Sequence, residues 1–174
     1  VLGHQIIGKV ITRGPGSTRF EIGSRVGVPW LGSVDGTCPS CLRKQENLCD
    51  HPTFTGFHVD GGFSEYTTAD ERFCFAIPDT YGDTAAAPLL CAGLIGFRTY
   101  RKAGREIDTL GIYGFGAAAH LVAQVAKYEG KTIFAFTREG DVADKEFAMR
   151  HGANCAGGSD DHPPGKLDEA QIGR

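Results

Sequence analysis

Asp35, Cys38, Cys41 and Cys49 follow the spacing Asp-x2-Cys-x2-Cys-x7-Cys, so three of the six cysteines fall within twelve positions. Turns this tight bring four side chains towards the corners of one tetrahedron. Thiolates and a carboxylate are donors that zinc accepts, at about 2.0–2.3 Å. The spacing predicts a closed, four-ligand structural zinc site, because CxxC with a third cysteine at short range is more often a metal pattern than a thioredoxin one. A redox CxxC, a disulfide and plain loop cysteines are the competing readings.

A second constellation is Gly114-x-Gly116-x-x-Ala119. It fits the G-x-G-x-x-G/A fingerprint of dinucleotide binding. Gly114 makes the tight turn off a strand, Gly116 lets a pyrophosphate approach the backbone, and Ala119 lets helix and strand pack closely. The free amides from Ala117 onwards then meet the phosphates. The fingerprint is weak alone and stronger between a strand and an amphipathic helix. Here a buried strand, 109–113, precedes it. Ala118, Leu121, Val122, Val125 and Ala126 follow it at i, i+3, i+4, i+7 and i+8, one apolar helix face. At the end of the next strand, where an acid would hold the ribose hydroxyl of NAD, stand Thr137 and Arg138. The missing carboxylate and the guanidinium lean towards NADP, and Glu139 one step on opposes that lean. A solvated loop arginine is the plain alternative for Arg138.

The elements that must position these groups change type midway. The first half reads as β structure: residues 5–12, 25–28, 63–69 and 73–77, punctuated by Gly14-Pro15-Gly16, Gly61-Gly62 and Pro78-Asp79. Short strands at this rhythm suggest a barrel or sandwich. Asp83 can cap a brief helix over 84–87 that Pro88 limits, and a helix over 92–102 is stopped by Gly104. Strand 109–113, the fingerprint helix, strand 132–137, a helix over 142–150 and a third strand near 154–156 then start a parallel doubly wound sheet. The boundary is placed near residues 80–90, giving domains 1–84 and 85–174. The chain of 174 residues has a net charge of −3, 25 glycines and no apolar run of membrane-spanning length. This argues against nucleic-acid and membrane partners. Grouped cysteines without a disulfide-rich scaffold favour a reducing, cytoplasmic setting.

Five motifs in order resemble the zinc-dependent alcohol dehydrogenases of the medium-chain dehydrogenase/reductase superfamily. They are Gly3-His4-Gln5, the loop 35–49, Asp60-Gly-Gly-Phe-Ser-Glu-Tyr66, Pro88-Leu-Leu-Cys91-Ala-Gly93 and the fingerprint at 114–119. The resemblance runs from Val1 to about Ser159 and implies a GroES-like β-barrel catalytic domain followed by a Rossmann domain. It puts Asp35 where the family has the first structural-zinc cysteine, and makes it the weakest of the four ligands, replaceable by water. It implies that His4 and Cys91 are ligands of a catalytic zinc, of the Cys2His kind. The family's other catalytic cysteine, and its proton-relay residues, lie upstream of the Gly-His motif. Without the resemblance, His4 reads as a surface or satisfied core residue and Cys91 as a small buried one. Gln5 stands where the family usually has Glu, and Cys74 and Cys155 match no ligand and read as packing residues.

The implied reaction is hydride transfer between an alcohol and NAD(P), with zinc polarising the aldehyde or ketone oxygen in reverse. The alternatives are a zinc-stabilised module without catalysis and a zinc-free NADPH reductase of the same superfamily, which usually lacks the cysteine loop. The family forms dimers and tetramers, so a homo-oligomer is implied at full length. A loop at 162–165 and a polar stretch at 167–174 follow the last expected strand. A half-sheet exposes an unpaired edge and an apolar face. The chain is therefore expected to be a fragment truncated at both ends, aggregation-prone and inactive alone.

Overall fold

The computed structural model describes residues 1–104 and 106–161. The expected loop at 162–165 and polar stretch at 167–174 lie outside the described residues. The chain divides into two compact units, Val1–Cys91 and Ala92–Arg174. The sequence places the change at 84/85. The segment from Asp83 to Leu90 stays with the first unit because its side chains pack there. Leu90 is buried, and both its δ-carbons stand over Gly27, where an added Cβ would lie 2.8–2.9 Å from them.

In the first unit, β1 (Ile6–Lys9), β2 (Arg25–Val28) and β5 (Phe75–Ala76) form an antiparallel sheet in the order β1-β2-β5. Ile6 lies opposite Val28 and Val26 opposite Ala76. β3 (Leu31–Ser33) pairs antiparallel with β4 (Thr53–Phe54). Val26, Val28, Cys74, Ala86 and Leu90 are buried in this unit. Arg25 reaches from β2 to the carboxylate of Asp83 (2.6 Å) and the carbonyl of Pro78 (2.8 Å). Asp83 thereby opens helix α2 (Asp83–Ala86) from within its first turn, and Gly82 is the cap. A 3-10 turn, Ala87–Leu90, replaces further helix, as Pro88 requires.

One expected strand is absent. Residues 63–69 form no strand: Phe63 is 79% exposed and Tyr66 71%. The Ser64 hydroxyl donates to the Tyr66 carbonyl at 2.6 Å. Aromatic residues favour strands only where a face is half-buried. Here the side chains meet no core, and a serine takes a carbonyl that a ladder would need.

The second unit opens with helix α3 (Ala92–Ala103) and then alternates strand and helix. β6 (Thr109–Tyr113), β7 (Thr132–Thr137) and β8 (Cys155–Gly158) form a parallel sheet in that order. Between them run α4 (Ala117–Tyr128) and α5 (Val142–Arg150). β7 is buried from Ile133 to Thr137, as a central parallel strand must be. Ile133 and Ala135 join a core of Tyr100, Phe115, Ala123, Ala126, Ala148 and Ala153. Phe134 and Phe136 cluster separately with Cys155, on the other face by the strand's period of two. Helices α4 and α5 end in the same device. Gly130 (φ +76) follows α4, with Lys131 N–H on the Ala126 carbonyl. Gly152 (φ +115) follows α5, with Ala153 N–H on the Ala148 carbonyl. The buried face of α4 carries Ala119, Val122, Ala123 and Ala126. Of the expected stripe, Val122, Val125 and Ala126 pack on this core, Ala118 lies with Val122 against Gly96 of α3, and Leu121 is half-buried.

Candidate active site and metal centre

Strands β3 and β4 clamp the two ends of the cysteine loop. Inside it Gly36 adopts φ +71, and the Asp35 carboxylate folds back over this turn. Its Oδ1 accepts the N–H groups of Thr37 (2.8 Å) and Cys38 (3.0 Å). Pro39 then opens a four-residue helix, α1 (Pro39–Leu42), whose cap is the Cys38 sulfur accepting the Cys41 N–H at 3.5 Å. A 3-10 turn, Glu46–Leu48, delivers Cys49. The Cys49 sulfur accepts the N–H groups of His51 (3.4 Å) and Asp35 (3.5 Å). The donor atoms of Asp35, Cys38, Cys41 and Cys49 all lie within 4.8 Å of one another. Donors around a tetrahedral zinc at about 2.3 Å stand roughly 3.8 Å apart, so this set fits one ion.

The electrostatics agree with that fit. The amides of Cys38 and Thr37 hold the Asp35 carboxyl well below the usual carboxylate range. The amides of Asp50 and Cys41 draw the Cys38 thiol down. The Cys41 thiol is pushed up to about 12, first by burial and then by hydrogen bonds with Cys38 and Cys49. Four crowded donors cannot all carry charge unless a cation sits among them.

Within the same unit, His4 and Cys91 meet although 87 residues separate them: Nε2 stands 3.2 Å from the Cys91 sulfur. A nitrogen and a sulfur on one tetrahedral zinc stand roughly 3.6 Å apart, close to the separation of these two atoms. Glycines seat His4. Gly61 and Gly62 donate to the carbonyls of Val1 (2.8 Å) and Gly3 (3.0 Å). A Cβ at Gly61 would lie 2.1 Å from the Gly3 oxygen, and one at Gly56 2.9 Å from Gly3 backbone. The motif Asp60-Gly-Gly is thus a backbone seat for the segment that carries His4. Cys91 is fixed by Leu90, packed over Gly27 in β2.

Beside His4 stands an aromatic wall that the sequence did not announce. The Trp30 ring meets His4 edge-on at 5.0 Å and stacks on Phe54 at 4.5 Å. Phe54 in turn stacks on His58 at 5.4 Å. The Thr55 N–H bonds to the Trp30 carbonyl at 2.9 Å, so β3–β4 pairing brings the wall together. Pro29-Trp30 directly after a strand, and the aromatic spacing Phe54-x-x-Phe57-His58, were its only sequence signals.

In the second unit the fingerprint lies where it is expected, between β6 and α4. Gly114 adopts φ +79 and its N–H bonds to the Phe136 carbonyl at 2.7 Å. Gly116 is the N-cap of α4 in extended conformation, and no side chain caps the helix. A Cβ at Gly114 or Gly116 would meet nothing within 4 Å. The amides of the first turn, from Ala117, thus start a helix without a side-chain cap, beside two glycines that leave open space, the arrangement a phosphate takes. Ala119 packs against the core. At the end of β7, Thr137 is buried, with its hydroxyl on the carbonyls of Arg138 and Gly157, both at 3.4 Å. Arg138 and Glu139 are exposed.

Residues 1–79 match the alcohol dehydrogenase GroES-like domain. The chain is 40% identical over 180 residues to the probable alcohol dehydrogenase AdhA of Mycobacterium tuberculosis, covering 98% of this chain and 50% of that protein. Among solved structures it is similar to cinnamyl alcohol dehydrogenase SbCAD4 of Sorghum bicolor, with a TM-score of 0.79 and 30% identity, covering 90% of this chain and 47% of the other. It is also similar to a short chain alcohol dehydrogenase (rspB) of Escherichia coli CFT073 solved with cofactor NADH. There the TM-score is 0.81 and the identity 29%, over 94% of this chain and 48% of the other. The chain spans about half the length of the curated relatives it matches.

Proposed function

Because this chain belongs to the zinc-type alcohol dehydrogenases of the medium-chain dehydrogenase/reductase superfamily, we propose that it serves the NAD(P)-dependent interconversion of a small alcohol and its aldehyde or ketone. The observation that carries this is the approach of His4 Nε2 to the Cys91 sulfur at 3.2 Å. It supports a second metal site, distinct from the closed lobe of Asp35, Cys38, Cys41 and Cys49. His4 and Cys91 would hold a zinc ion that supplies Lewis acidity towards the substrate oxygen. Trp30 fixes the ring plane of His4 and, with Phe54, offers an apolar wall that keeps water from the substrate's carbon side.

The second unit's part is to grip the dinucleotide, which supplies the hydride chemistry. Gly116 leaves room for the pyrophosphate, and the amides from Ala117 onwards bind it. Arg138 is the group we assign to a 2′-phosphate, with the lean towards NADP, since Thr137 is turned inwards. Among the described residues no helix is long and apolar enough to cross a membrane. From the grouped cysteines without a disulfide-rich scaffold we place the enzyme in the cytoplasm, and we propose that it is a homo-oligomer.

Elemental analysis tests the reading, with the emission of Trp30, the only tryptophan, as a second measurement. Two zinc ions per chain are expected, falling to one in Cys91→Ser, and cobalt in place of zinc is expected to quench Trp30 only while His4 and Cys91 are intact. One zinc per chain, unchanged by Cys91→Ser, would leave the lobe as a metal-stabilised module without a catalytic site. No zinc at all would favour a zinc-free reductase.

A further inference from the structure

We propose that Asp35 is a fixed, single-oxygen ligand of the lobe, which turns the site from soft, thiophilic ions towards borderline ones such as zinc. The inference rests on the four-donor lobe described above and concerns what the one carboxylate in it does.

Both amides that bond the Asp35 carboxylate bond the same oxygen: Oδ1 accepts from Thr37 at 2.8 Å and from Cys38 at 3.0 Å. Two donors on Oδ1 fix the plane of the carboxylate and leave Oδ2 as the free donor atom, so the side chain offers one oxygen and is no chelate. The turn that holds it depends on Gly36 at φ +71. For water to displace Asp35, the carboxylate would have to swing away from both amides, and among the described residues no other acceptor is paired with either of them. The cysteine sulfurs are aimed by the same means, Cys49 by the N–H groups of Asp35 and His51 and Cys38 by that of Cys41. Asp35 therefore orients its own side chain and also, through its amide, the Cys49 sulfur. This makes it more than the weakest, exchangeable corner that its chemistry alone suggests.

Exchanging a thiolate for a carboxylate keeps the charge of the donor set and changes its softness. Four sulfurs suit cadmium, mercury and copper(I) as well as zinc, whereas carboxylate oxygen suits harder ions. Zinc is borderline and accepts either donor. One preorganised oxygen among three sulfurs thus penalises the softer competitors more than zinc.

Two measurements on the full chain test this, both in a His4→Ala/Cys91→Ser background so that only the lobe binds. In the first, zinc and cadmium compete at equal concentration and the bound ratio is read by native mass spectrometry. Asp35→Cys is expected to shift the ratio several-fold towards cadmium, and its cobalt form to show stronger thiolate charge-transfer absorption, the parent having about three quarters of that intensity. In the second, zinc passes to a chelator, and Asp35→Ala is expected to lose it at least about tenfold faster than the parent. An unchanged zinc-to-cadmium ratio in Asp35→Cys, or equal rates of zinc loss in the parent and Asp35→Ala, overturns the inference while leaving the metal lobe intact. A parent chain that binds no metal overturns the lobe and the inference together.

Discussion

Replacing Gly116 by alanine is expected to separate stability from dinucleotide affinity, and replacing Gly114 to couple them. Gly116 sits at φ −81 and ψ −162, a conformation open to any residue, and an added Cβ meets nothing within 4 Å. Gly116→Ala should therefore leave the unfolding free energy unchanged, or raise it by up to about 1 kcal/mol through the smaller entropy of the unfolded chain. For a protein of this size that is a Tm shift of no more than about 2–4 °C. Gly114 has as much room but sits at φ +79, so alanine there takes on left-handed strain of roughly 1–2 kcal/mol. Its Tm should fall by several degrees. Affinity should respond differently. A methyl group at Gly116 occupies the space through which a pyrophosphate approaches the amides of α4. Losing one hydrogen bond to a charged group is worth about 1.5–3 kcal/mol, so Kd for NADH and NADPH should rise roughly 10- to 150-fold. Titration calorimetry with each dinucleotide, beside a thermal melt of each variant, reads both quantities. A Gly116→Ala chain that binds with unchanged Kd, or that melts as low as Gly114→Ala, would refute the reasoning.

Two further outcomes concern the fold. Glu71 accepts from the Ser17 hydroxyl at 2.6 Å and from the amides of Arg19 (2.8 Å) and Thr18 (3.1 Å). The Ser17 hydroxyl first, and then these amides, hold its carboxyl below the ordinary value. The stability it contributes should be fully present above the unfolded-chain value of about 4.3 and be lost as pH falls through the lower folded value. Denaturant titrations of the parent and Glu71→Gln should thus differ by a constant amount at neutral pH and converge in acid, whereas a gap that widens in acid would contradict the assignment. Ile133 is fully buried in β7, and Ile133→Ala should cost about 2–5 kcal/mol, read as a fall in Tm with the zinc content of the lobe unchanged.

How far the sequence could be read depended on whether the controlling interactions were local. β2, β6, β7 and α5 were each bounded by their own glycines, caps and apolar runs, and the observed spans coincide with the expected ones. The cysteine loop was legible for the same reason, because all four donors lie within fifteen positions. Residues 63–69 carry the aromatic pattern of a strand, but strand formation needs a buried face, and nothing in the segment itself says that none is near. The pairing of His4 with Cys91 came from family resemblance, since it depends on glycines at 27, 56 and 61 taking up close backbone and side-chain approaches from distant parts of the chain. The wall of Trp30, Phe54 and His58 was missed because its members stand in or beside the two strands that clamp the loop, whose pairing the sequence did not predict.

The two donor sets also differ in how much chain must be drawn together before they exist. Asp35 and Cys49 are 14 residues apart, and His4 and Cys91 are 87. Closing the longer loop costs about 1.6 kcal/mol more chain entropy than closing the shorter. On the ribosome, moreover, the lobe is complete some forty residues before Cys91 has been made. With both sets holding metal as proposed, the order of loading would follow the order of synthesis. The lobe can capture its ion while the chain is still growing, and the His4–Cys91 pair can form only after β2 has closed against the turn that ends in Leu90. In a cell short of zinc, the ion would accumulate first where it builds structure.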